Sequence, residues 1–307
     1  MSTSNRWLVL VGGGGCGRWQ AGALSAIYNA DLLKGLTGIV GTSVGGLNAC
    51  VLALGISQGK GDSILKEAWS RIQKNTDIYT PSLLPFPSFW NPITLLTIAY
   101  NTLFGPGICK IKGLRQLITT FFGELTTDDI QKGCNITLMT RAFNYQTGCA
   151  DTLQGRLQDI VLATSAVELL FPKHQGYGDG GVVDNCPIDV ALGCGAKQIL
   201  VVYAQPDTEK FTLQAPVILT GKGPESKTTA LQDAVSNAAR LVSNLINANE
   251  DMVSQSAARA EQNGVELIRC VPPSSTGAIL DFTPRNLWER GVAEAALAIN
   301  QAKAKGW

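Results

Sequence analysis

The chain has 307 residues, 25 Lys and Arg against 24 Asp and Glu, and a formal net charge of +1. That length is near the upper size for one hydrophobic core, and the 45% apolar fraction is that of a globular protein. No basic stripe or basic–aromatic interleaving points to a nucleic-acid partner. A single histidine and eight scattered cysteines with no C-x-x-C pair leave little for a zinc site and predict thiols.

The N-terminal MSTSNR has no basic region followed by an apolar stretch and a cleavage site, so the expected location is the cytoplasm, as a soluble protein. Residues 7–11 form an apolar run that predicts a strand. A run of glycines follows, then a helix over residues 21–34 with Leu24, Ile27 and Leu32 toward the core. Ile39 and Val40 predict a short second strand, and residues 44–54, small and apolar throughout, the next helix. Residues 80–107 are rich in Pro, Leu, Phe and Trp, with Asn91-Pro92 as an N-cap and first turn. The apolar run ITLLTIAYNTLF inside this segment is shorter than the roughly 20 residues of a spanning helix. The whole segment, residues 80–107, is expected to form an apolar cap over a pocket, or else a packing insertion. Residues 135–140 and 198–204 are nearly all apolar, as in strands covered on both faces.

Residues 221–226 have the one disorder-prone composition. Residues 227–262 predict a long amphipathic helix or helix pair, its stripe running from Leu231 through Val242 to Met252 toward the core. Alternating strands and helices imply an α/β fold, with a mostly parallel central sheet and helices on both faces. No repeat or linker divides the chain, so residues 1–307 read as one domain.

The glycine run is Gly12 to Gly15, continued by Gly17. Between a strand and a helix it aims backbone N–H groups and the positive helix end at one point, which favours an anion. Gly12, Gly14 and Gly17 satisfy the G-x-G-x-x-G spacing of dinucleotide sites, but the next strand ends in GTSVGG with no acid for the ribose. The alternative anion is the transient oxyanion of acyl transfer; a third reading is plain helix–strand packing.

Gly41-Thr42-Ser43-Val44-Gly45 is G-x-S-x-G between a strand and a helix. That context holds a serine hydroxyl out on a sharp turn as a nucleophile, where a capping serine would be the ordinary reading. The hydroxyl needs a base. His174 and Asp179, the latter between Gly178, Gly180 and Gly181, are the two candidates.

Three pieces in order, GGGGCG with WQAG behind it, GTSVGG and GDGGVVDNCPID, resemble the patatin-like phospholipases. LATSAVELLFP resembles that family's small-residue helix before the aspartate, and ILDFTPRNLWERGVAEA its closing helix. The resemblance implies a three-layer α/β/α fold and a Ser43–Asp179 dyad without histidine. It implies an oxyanion site at the amides of Gly13, Gly14 and Gly15, with no metal or organic cofactor. The expected substrate is a phospholipid or other acyl-ester lipid, reached by transient contact with a membrane surface. A non-catalytic lipid- or partner-binding relative is the alternative. Cys16 stands where many members carry Arg, and Arg18 is the candidate replacement.

Overall fold

The computed structural model describes residues 5–81, 107, 109–168, 170–207, 244, 247 and 250–307. The cap-like segment beyond residue 81, residues 221–226 and most of the 227–262 helix lie outside them. Of that helix the described part is Glu250–Gln262.

Strand β1 (Arg6–Leu10) pairs in parallel with β2 (Gly38–Thr42). A small antiparallel ribbon joins β3 (Thr80–Pro81) to β4 (Cys109–Lys110). The remaining strands are β5 (Thr137–Asn144), β6 (Cys149–Leu153), β7 (Tyr177–Asp179), β8 (Gln198–Val202) and β9 (Glu266–Cys270). The main sheet has the order β6-β5-β2-β1-β8-β9, with β7 also on β5. Pairings β1–β2, β2–β5, β1–β8 and β8–β9 are parallel; β6 and β7 run antiparallel to β5.

The period-two alternation of a strand divides the core into two layers. Leu8, Leu10, Ile39 and Leu200 face the larger layer, Trp7, Val9, Val40 and Val201 the smaller. The first is covered by α1 (Gly17–Asn29), α2 (Val44–Ser57), α3 (Gly61–Ser70) and the C-terminal helices. The second is covered by Ile188–Gly193 and Glu250–Gln262. Burial on both faces is why these strands read as unbroken apolar runs.

From β1 the chain moves to β2 and β5 on one side, then returns to β8 and β9 on the other. The carboxyl end of β1 is therefore a topological switch point, where open α/β sheets leave a crevice for ligands.

Boundaries depart from the sequence expectation where tertiary pairing intervenes. Helix α1 begins at Gly17 instead of residue 21, because residues 14–16 already form a 3-10 turn, and it ends at Asn29 before a turn with Asp31 at φ 64°. Strand β5 starts two residues later than expected because Asn135 caps the preceding helix in a left-handed conformation. Its far end is prolonged by β6 and β7, short and partly polar strands that the apolar pattern does not reveal.

Candidate active site

Strand β2 ends at Thr42 and α2 begins at Val44, leaving Ser43 alone on the turn. Ser43 sits at φ 55° and ψ −126°, a region that costs a side-chain-bearing residue about 1–3 kcal/mol. The flanking glycines make the turn possible. A Cβ on Gly41 would stand 2.4 Å from the Gly45 carbonyl oxygen, and one on Gly45 2.3 Å from that of Leu10. Helix α2 is buried from Val44 to Gly55, with Asn48 the one polar side chain in that stretch, so the turn is anchored by core packing. The Ser43 N–H donates to Thr164 Oγ1 at 2.8 Å, a support with no signature in the sequence.

Asp179 reaches the serine through sheet register. Thr42 pairs with Arg141 on β5, and Asp179 pairs with the next residue, Ala142. Strands β2 and β7 thus approach head to head along one edge of β5. Their ends meet with Ser43 Oγ donating to Asp179 Oδ2 at 2.6 Å, while the Gly181 N–H donates to Oδ1 at 2.8 Å. Asp179 is buried. Burial pushes its carboxyl up to about 6, partly offset by the bonds from Ser43 and Gly181. The turn after Asp179 is fixed from both sides, since Arg141 Nε donates to Asp184 Oδ2 at 2.8 Å and Thr42 Oγ1 to the Asp184 carbonyl at 2.9 Å. His174, the other base candidate, is engaged elsewhere, its Nε2 lying 2.8 Å from Asp159 Oδ1.

In the glycine loop the Gly12 N–H donates to the Asn185 carbonyl at 3.2 Å and the Gly15 N–H to the Ile279 carbonyl at 2.6 Å. Of the three glycines expected to face an oxyanion, Gly13 and Gly14 line one pocket with Ser43, while the Gly15 N–H is already engaged. Gly14 has φ 54°, and a Cβ there would fall 2.2 Å from the Ile279 carbonyl oxygen. Cys16 is buried, with Sγ 3.3 Å from the Gly277 carbonyl. Arg18 does not replace the missing loop arginine. It is buried, stacks 5.4 Å from the Trp69 ring and donates to the Ile72 carbonyl; burial lowers its pKa.

The pocket has a polar floor of Ser43, Asp179, Asn185 and Glu168 under apolar walls from α2, Trp69, Ile78, Leu114 and Phe171. One further wall comes from Ile279, Leu280 and Phe282. The closing-helix expectation is corrected here: helix begins only at Leu287, and residues 279–282 form a strap across the pocket. Tyr79 Oη donates to the Leu280 carbonyl at 3.0 Å, and the Phe282 N–H donates to Asn75 Oδ1 at 2.7 Å. Among the described residues, no group of three or more His, Cys, Asp or Glu side chains is arranged to hold a metal ion.

A mostly parallel sheet with a strained serine at the end of one strand and a carboxylate at the end of its head-on neighbour defines an α/β protein with a site at the switch point. The chain belongs to the patatin-like phospholipases, whose family profile matches residues 8–192. Such a family acts on lipid esters. In solved structures the chain is similar to VipD from Legionella pneumophila, at 14% identity and TM-score 0.45 over 97% of this chain and 67% of that one. It is also similar to the type III effector protein ExoU, at 14% identity and TM-score 0.40 over 98% of this chain and 53% of that one. The chain thus spans about two thirds and about half of these two proteins. No curated protein matches it.

Proposed function

We propose that this chain is a lipid acyl hydrolase of the phospholipase A or lipase type, working through Ser43, Asp179 and an acyl-enzyme. The observation that carries the reading is the 2.6 Å hydrogen bond from the strained Ser43 hydroxyl to the buried Asp179 carboxylate, at the floor of an apolar pocket. Asp179 accepts the Ser43 proton as Oγ adds to the ester carbonyl. The Gly13 and Gly14 amides bind the oxyanion. Collapse of the tetrahedral adduct expels the alcohol, which takes the proton from Asp179. Water, deprotonated by Asp179, then adds to the acyl-serine, and the proton returns to Ser43 as the fatty acid leaves. An acyl thioester could be cleaved by the same steps.

We read residues 1–307 as one domain, since β9 from the C-terminal part pairs with β8. Transient membrane contact would deliver the substrate. Among the described residues no helix is long and apolar enough to cross a membrane.

The test is hydrolysis of a medium-chain p-nitrophenyl ester together with labelling by a fluorophosphonate. Both are expected in the wild type and both should vanish in Ser43→Ala with an unchanged circular-dichroism spectrum. A variant that still turns over at near wild-type rate would remove Ser43 from the chemistry. A wild type that binds phospholipid vesicles without turnover or labelling would favour the non-catalytic alternative.

A further inference from the structure

Among the described residues, the two-residue chemistry leaves unused an acid whose carboxyl oxygens are buried. Glu168 lines the same pocket as Ser43 and Asp179. Both its carboxyl oxygens are buried, and among the described residues neither makes a hydrogen bond of good geometry, the backbone amides of Glu168 and Asp179 acting on it only weakly. Gly178, one residue before Asp179, makes the room for it: a Cβ there would stand 2.3 Å from Glu168 Oε1 and 2.9 Å from the Tyr145 ring. Asp179 and Lys173 are the charges that act on Glu168, and the Lys173 ammonium lies 3.6 Å from the centre of the Tyr145 ring.

A buried carboxyl without a well-placed partner destabilises the fold. An apolar residue would complete this pocket without that cost, which makes a polar group of the ligand the natural partner. Burial and the neighbouring Asp179 favour the neutral acid at Glu168. A neutral carboxyl offers one donor and one acceptor, the same pair that an alcohol hydroxyl presents. The acyl chain takes the apolar walls. The alcohol half departs on the side of Asp179, which gives it a proton, and Glu168 adjoins that side.

We propose that Glu168 is a specificity residue: its carboxyl pairs with a free hydroxyl on the alcohol half of the substrate, so the pocket selects acyl esters of polyols that keep an unesterified hydroxyl beside the scissile bond. The proposal rests on the hydrolase reading above and extends it to the substrate.

The experiment compares kcat/KM for the 2-hydroxyethyl and the propyl ester of one medium-chain acid, in which a methyl group replaces the hydroxyl. Wild type, Glu168→Gln and Glu168→Leu are measured, together with thermal unfolding. The wild type should prefer the hydroxyethyl ester at least ~10-fold, since a site built around a substrate hydroxyl rejects the analogue lacking it. In Glu168→Leu the ratio should fall to about one while Tm rises; Glu168→Gln, which can still donate and accept, should keep an intermediate ratio. A wild type without preference, or a preference that survives in Glu168→Leu, overturns the proposal. If the wild type cleaves neither ester and resists the fluorophosphonate, the hydrolase reading fails on its own. Calorimetric binding of the two esters then decides on Glu168: a hydroxyl preference lost in Glu168→Leu supports the role, and equal binding overturns it.

Discussion

An aspartate with an ordinary carboxylate pKa is a weak base toward an alcohol, and the surroundings of Asp179 change that. Its carboxyl is raised from 3.8 to about 6 by burial, closer to a pH at which a base is effective. Activity should therefore rise with pH through about 6, as the carboxylate forms. The linkage to stability has the opposite sense. A folded pKa above the unfolded one favours the neutral form, so the contribution of Asp179 to stability is greatest below about pH 4. That contribution falls by about 3 kcal/mol as pH rises through 6. Asp179→Asn keeps a permanently neutral side chain. It should be inactive on a p-nitrophenyl ester, and its stability advantage over wild type should grow between pH 4 and pH 6 and then level off, as read by urea unfolding. His174→Gln is the companion measurement. Its imidazole bonds to Asp159, so the variant should retain at least a tenth of the wild-type rate, about 1.4 kcal/mol in barrier. A dead but folded His174→Gln would restore a triad.

Among elements, the glycine loop and the strap over residues 279–282 act as a pair. The loop's shape depends on the strap, because the Ile279 carbonyl accepts the Gly15 N–H and presses on Gly14. Tyr79 and Asn75 hold the strap from the opposite side. Gly14→Ala would add a Cβ where the Ile279 oxygen already lies and would force a side chain into φ 54°. The loop must then shift and misplace its amides. Losing one oxyanion donor typically costs ~100-fold or more, and a drop in kcat of that order is expected, with a stability loss of about 1 kcal/mol or more. A folded Gly14→Ala with wild-type kcat would show that the loop does not hold the oxyanion.

At the scale of the molecule, Trp307 packs on the core beside the start of β1, at the opposite end of that strand from the glycine loop. Trp307 is buried, its Nε1–H donates to the Leu32 carbonyl at 2.5 Å, and the Arg6 guanidinium lies 5.9 Å from its ring centre. Arg6 also donates to the Gly306 carbonyl at 2.8 Å, joining β1 to residues 306–307. Trp307→Ala should cost about 3–5 kcal/mol, visible as a lower Tm, with kcat/KM unchanged below the transition. A fall in kcat/KM without a fall in Tm would contradict a purely structural role.

The parts that could be read along the chain are those encoded locally. The apolar runs of β1 and β8 declare strands covered on both faces, because no polar alternation survives there. The serine turn declares itself because only glycines tolerate the approach of backbone at positions 41 and 45. The ordered glycine, serine and aspartate motifs were enough to suggest the family. Tertiary structure decided what depends on residues far apart in sequence. The meeting of β2 and β7 on one edge of β5 sets the Ser43–Asp179 distance, and register is a property of two strands together. The Ile279 carbonyl occupies the Gly15 amide, across more than half the chain. Glu168, in a segment that reads only as a small-residue helix, becomes a pocket acid because Gly178 leaves room for it, and no local pattern records that vacancy.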